Sequence, residues 1–367
     1  MRIVSFVITV LVLMSLFPLT LGASELDAAL IEEYIPEDIK DTLPDGIFDK
    51  ENTGIADKLS FSYFLESIKN AFASVAGGYT ADLATLVSLL IISSLFHLLS
   101  QSTKGSLDGA FSGISSLCVC VYIFTVIAAL FETVAEYLGT LASFASAVTP
   151  VVSIAYAAGG NISAATVSNS GLMLCIAVIE NICAYFLYPL LSLIAAMTVA
   201  SSLAPAIRIN TLTGFLRGVM MLGISFTVTA ISAIMSLQHT LACASDTLGA
   251  RAVRFAASSF IPIVGSAVSE AVRTVAGSVG YIRSSIGGIG IVVVILITLP
   301  VFISLMLVRI NLAISASLSD MLGCERETQV LKQASLLVNV LIALVSLSAF
   351  MFVYFLTLLL KCSSAYA

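Results

Sequence analysis

Glu180 and Asn181 stand inside an apolar stretch running from 172 to 204, which Pro189 also interrupts. A carboxyl group in such surroundings is costly in hydrocarbon and normally faces a bundle interior or a water-filled cavity. Three roles fit Glu180: lining a conduit, pairing with Arg217 from the following segment, or sitting at a bend against headgroups. Further along, Ser266, Ser269, Glu270 and Arg273 form the polar side of a segment whose Val264, Val268, Val272, Val275, Val279 and Ile282 recur at helical spacing. Glu180, Asn181, Arg217, Glu270 and Arg273 are therefore the candidate residues for a conduit or a partner interface.

Catalytic chemistry finds little support in the residue types. The two histidines, His97 and His239, begin no metal-binding pair, and a metal site needs three or four converging ligands. His97 lies near the end of an apolar span, where a polar tip reaching the headgroups is the ordinary reading. The seven cysteines fall mostly in apolar runs and never as C-x-x-C, so they read as free buried thiols. No glycine-rich loop followed by lysine cradles a phosphate, and there is neither a G-x-S-x-G elbow nor an H-E-x-x-H helix. Gly287, Gly288 and Gly290 open an apolar run and read as glycines for helix packing or flexibility. The expectation is a protein that is not an enzyme and holds no metal or cofactor, with energy for any transport supplied by a partner or an ion gradient.

The elements that must position these residues follow from composition. Hydrophobic residues make up 59% of the chain and charged residues 10%, more apolar surface than one soluble core needs. The fold class is an all-α polytopic membrane protein with about six to eight membrane segments. Clear spans fall at 82–100, 111–131, 214–237, 286–308 and 334–360. The stretch 172–204 reads as one kinked span or two short ones. Residues 141–158, rich in small side chains and containing Pro150, suit a re-entrant or buried segment, and 262–283 an interfacial or pore-facing helix or, since it is long enough to span, a lipid-exposed one. Gly109-x-x-x-Gly113 and Gly214-x-x-x-Gly218 have the spacing that permits close helix approach or self-association.

The amino terminus reads as a cleavable signal peptide: Arg2, an apolar run from Ile3 to Phe17, and small residues up to Ala23. Eleven of the 22 acidic residues then lie between Glu25 and Asp57. The rest of the chain is near neutral and has no basic stripe, which excludes a nucleic-acid partner. The resulting organisation is a signal peptide over 1–23, an acidic extracytoplasmic segment over 24–80 ending in an amphipathic helix, a first membrane group over 81–240, an Arg-bearing amphipathic segment over 241–285, and a second membrane group over 286–367. Four arginines against two acidic residues favour a cytoplasmic 238–285.

One stretch is distinctive. Arg251-Ala-Val-Arg-Phe-Ala-Ala-Ser-Ser-Phe-Ile-Pro-Ile-Val-Gly265, followed by Ser269-Glu270-Ala271-Val272 and later by Leu307-Val-Arg-Ile-Asn-Leu-Ala-Ile-Ser315, resembles the stage III sporulation protein AE family. The most specific part is Phe260, Pro262, Val264 and Gly265. Leu318 to Gly323 departs from that family's turn in lacking a proline. The resemblance implies a subunit of a secretion-like channel between mother cell and forespore in endospore formers, in the mother-cell-derived outer membrane around the forespore. It also implies ring-forming and membrane partners and a separate ATPase. A self-sufficient transporter of small solutes or ions is the alternative reading of the broken apolar segments.

Overall fold

The computed structural model describes residues 61–102, 108–158, 161–182, 210–260 and 265–363, with a few isolated positions between 185 and 197. The expected signal peptide, the acidic segment over 25–58, Pro262 and Val264 lie outside the described residues, as does most of 183–204. Every described element is helical: α1 (Phe61–Ser102), α2 (Asp108–Ala158), α3 (Ile162–Ile182), α4 (Asn210–Phe260), α5 (Gly265–Met321) and α6 (Glu325–Ser363). Among the described residues there is no strand.

Five of these helices, α1, α2, α4, α5 and α6, are long and apolar enough to cross a membrane, and each contains one of the five clear spans expected from hydropathy. The sixth, α3, carries a shorter apolar run, Ser163–Val178. Three boundaries differ from the sequence reading. The amphipathic 61–75 segment runs unbroken into the first span as α1. Residues 141–158 are not a separate re-entrant piece but lie within the second half of the 51-residue α2. Residues 265–283 likewise continue into the next span, making α5 57 residues long. Pro150 removes one amide from the helix ladder without ending it, which surrounding helices make tolerable in membrane proteins. The inner side of that half is packed: Leu141, Phe144, Val148, Val152 and Tyr156 are all buried.

α5 and α6 form the centre. They bury 50% and 61% of their most apolar windows inside the protein, against 17% for α1 and 22% for α4, so α1 and α4 are peripheral. Val292, Val293, Leu305 and Leu312 of α5 meet Leu331, Val338, Leu341 and Val345 of α6 in the core. Gly290 allows Leu356 to approach within 3.2 Å of where a Cβ would stand, in line with a packing role for that glycine cluster. A closer contact occurs at Gly171 on α3, where a Cβ would lie 2.7 Å from the Met235 sulfur and 3.0 Å from the Phe355 ring. The absence of a side chain there lets α3 seat against both α4 and α6.

The α5–α6 hairpin turns on three residues. Gly323 has φ of +73°, Cys324 N–H donates to Ser319 O at 3.0 Å, and Gly323 N–H donates to Asp320 O at 3.2 Å. These are the paired bonds of a glycine-terminated helix. Cys324 O then accepts the Thr328 amide at 3.0 Å as α6 begins, along with the Thr328 hydroxyl and the Ser319 hydroxyl. Because a Cβ at Gly323 would touch nothing within 4 Å, only backbone conformation penalises a substitution. Gly323→Ala is expected to destabilise the protein by about 1 kcal/mol. Gly323→Asn should cost less, since asparagine tolerates the left-handed region. Thermal unfolding of the two variants in detergent checks the order.

Candidate functional site

Buried polar groups gather at separate points along the inner side of α2. At one end, Glu327 occupies the first turn of α6, where the partial positive charge of a helix start supports a carboxylate. Its side chain is 4% exposed, and Oε1 accepts the Ser93 hydroxyl of α1 at 2.8 Å and the Ser115 hydroxyl of α2 at 3.4 Å. Three helices, α1, α2 and α6, thus converge on one carboxylate oxygen. The Cys324 sulfur lies 3.8 Å from Ser93 Oγ.

Burial pushes the Cys324 thiol above its ordinary value of 9.0, and the nearby Glu327 carboxylate adds to the rise while the Ser93 contact opposes it. A raised pKa lowers the thiolate fraction at neutral pH, and the thiolate is the reactive form. Cys118 is exposed, whereas Cys120 and Cys324 are buried, and none of the three is in a disulfide. With a maleimide reagent at pH 7, Cys324 is expected to label only as the protein unfolds. Peptide mapping of the labelled cysteines measures this; labelling of Cys324 in the folded protein would contradict it.

Midway along α2, the buried Tyr137 hydroxyl lies 3.2 Å from Thr298 Oγ1 of α5 and 3.2 Å from Ser348 Oγ of α6. This polar knot ties the central hairpin to α2.

The third cluster joins the end of α2 to α3 and α4. The buried Tyr156 hydroxyl lies 3.3 Å from Nε2 of His239, whose Nδ1 is 3.7 Å from the Cys243 sulfur one turn along α4. Cys243 is disulfide-bonded, which corrects the expectation of free thiols throughout. One further turn along α4, the Asp246 carboxylate accepts the amides of Ser163 at 3.1 Å and Ala164 at 2.8 Å. Asn161 O accepts the Ala165 amide, the first bond of α3, so Ser163 and Ala164 are the two positions that a helix-capping side chain ordinarily serves. Here α4 supplies the cap.

Of the candidate conduit residues, Asn181 has a described side chain and takes no part in the contacts above. Asn181 is exposed, and its side-chain amide donates to Ala177 O one turn back at 2.6 Å. The side chains of Glu180, Arg217, Phe260, Glu270 and Arg273 lie outside the described part of the structure, and Gly265 is the first residue of α5. Glu327 and Asp246 carried no distinguishing local signal. Glu327 sits in a polar run beside Glu325 and Arg326, and Asp246 in the Arg-bearing segment. Among the described residues no group of three or more His, Cys, Asp or Glu side chains is placed to hold a metal. The arrangement can anchor helices to one another.

A family model described as Stage III sporulation protein AE matches residues 51–363. The curated protein "Stage III sporulation protein AE" of Bacillus subtilis (strain 168) is 25% identical over 231 residues, covering 59% of this chain. That match covers 54% of the relative, so the chain spans about half the length of the curated relative it matches. No solved structure matches.

Proposed function

Since the chain belongs to the stage III sporulation protein AE family, we propose that it is a membrane subunit of a secretion-like channel linking mother cell and forespore, needed for forespore development after engulfment. The observation that carries this reading is the family match across residues 51–363, which takes in all six described helices. Five membrane-length helices suit a subunit embedded in a bilayer, which we place in the mother-cell-derived outer membrane around the forespore. Its partners in this reading are ring-forming and membrane subunits and a separate ATPase, consistent with a sequence that has no phosphate-cradling loop.

The distribution of buried polar groups bears on where material would cross. Tyr122, bonded to Asp82, and Tyr137 are about 22 Å apart along α2, with Ile123, Ile127, Leu130 and Val134 buried between them. Isolated polar islands in a packed core favour a conduit beside this chain over one through the described bundle. Deletion of the gene in its native host, followed by microscopy through sporulation, is expected to show arrest after engulfment. Normal spores from a strain with no second copy of the gene would refute the proposal. Saturable solute uptake by the purified chain alone in vesicles would instead support the transporter reading.

A further inference from the structure

We propose that Cys243 is joined to Cys362, and that this bond fastens the end of α6 to α4 on the side of the membrane away from the cytoplasm. Cys243 is in a disulfide, whereas Cys118, Cys120 and Cys324 are not. Of the seven cysteines, Cys175, Cys183 and Cys362 remain as its partner. Their side chains lie outside the described part of the structure, so helix register selects among them. α4 and α6 run side by side in one direction: Thr213 bonds to Gln333 at 3.4 Å, and Met235 and Phe355 both close on the Cβ position of Gly171. Each pair is 120 residues apart in sequence, and the same offset sets Cys243 level with Ser363, one residue from Cys362. Position 362 also follows Phe355 by seven residues, two turns along the same face of α6. α3 runs the other way, its Ser163 and Ala164 amides meeting Asp246 while Gly171 meets Met235. Cys175 is therefore about 12–18 Å from Cys243 along the axis, and Ile182, the neighbour of Cys183, about 10 Å further. A disulfide needs Cα atoms within about 7 Å of each other.

Forming the bond takes two electrons and two protons from the two thiols. A disulfide-donating protein outside the cytoplasm accepts them: one cysteine thiolate attacks the donor's S–S bond, the second displaces the donor from the mixed disulfide, and the donor leaves as a dithiol. The cytoplasm keeps thiols reduced, so a bond that persists puts this end of the bundle outside. Glu327 and the α5–α6 turn, about 52 Å away along α6, then face the cytoplasm. The signal peptide expected over 1–23 gives the same orientation from a separate feature. α1 reaches the Glu327 end at Ser93, and its earlier Tyr79 meets Asn311, so its start points toward the Cys243 end. Residues 238–285 then lie outside, against the preference of their four arginines over two acidic residues. That margin of two charges is a weaker constraint than a bond the cytoplasm would reduce.

The partner is tested in growing cells of an endospore-forming host that produce the full chain, dissolved in denaturant with N-ethylmaleimide and digested without reductant. Mass spectrometry should find a peptide pair joining Cys243 to Cys362 that separates on reduction, and Cys243→Ser should leave Cys362 alkylated. Cys243 alkylated in the parent chain, or joined to any other cysteine, overturns the assignment. Orientation is read in intact protoplasts with a membrane-impermeant maleimide and peptide mapping, using Arg251→Cys two turns beyond Cys243 and Met321→Cys at the α5–α6 turn, both at exposed positions. Arg251→Cys should label before the membrane is opened and Met321→Cys only afterwards. Labelling of Met321→Cys from outside, or failure of Arg251→Cys to label from outside, overturns the orientation. Neither readout involves sporulation, so this inference and the role in the channel can fail separately.

Discussion

Asp246→Ala is expected to destabilise the protein by about 2–4 kcal/mol and to loosen the start of α3 before any other helix. The carboxylate takes the amides of Ser163 and Ala164 at once, and Ala164 is fully buried. Truncation leaves two helix-start donors without their acceptor, one of them away from water. It also removes a negative charge from the position where a helix start favours it. Asp246→Asn keeps one acceptor oxygen and turns an amide toward the other donor, so an intermediate loss follows. Unfolding followed with a thiol-reactive dye suits this chain, which has no tryptophan but has buried thiols at Cys120 and Cys324. Hydrogen exchange supplies the local readout. Faster exchange at 163–170 with α5 and α6 unchanged is the expected pattern, and uniform exchange across all helices would refute the capping role.

Glu327→Ala should cost about 2–4 kcal/mol, by the cavity it leaves and by the two hydroxyls it deprives of an acceptor. Glu327→Gln keeps a side-chain oxygen of the same reach and should cost about 1 kcal/mol. Ser93→Ala, which removes the shorter bond to a charged acceptor, falls between them. The coupling is the sharper test. In a double-mutant cycle, Ser93→Ala should cost about 1–2 kcal/mol less when Glu327 is already alanine. An identical cost in both backgrounds would mean that the 2.8 Å contact contributes nothing of its own. A helical serine can turn its hydroxyl to the carbonyl one turn back, which limits the penalty left behind.

Much of the bundle was legible from hydropathy. Each clear span lies within a helix, because a run of about 20 apolar residues has few other stable outcomes. Helix ends were harder to see. The amphipathic 61–75 segment and the Pro150-bearing 141–158 segment looked like separate pieces, yet α1 and α2 run through them. A local breaker costs one or two interactions, whereas packing along a long helix supplies many. Gly214-x-x-x-Gly218 was recognised from spacing, but whether those glycines face inward or outward is a property of the assembled bundle.

The sequence by itself determined the solvent. Its mean hydropathy of +1.08 and its spacing of apolar runs commit the chain to helices in a membrane, and a family motif set the biological context. Only the tertiary structure decided which polar residues matter to the fold. Glu327 meets Ser93 and Ser115 across 234 and 212 residues of chain, and Asp246 meets Ser163 across 83. A buried polar group is tolerable only with a partner. Hydropathy records what each residue would lose on burial, but the partner that offsets the loss arrives from a distant helix. Glu180 drew notice because its immediate neighbours are apolar, while Glu327 and Asp246, in polar-looking runs, turned out to tie described helices together.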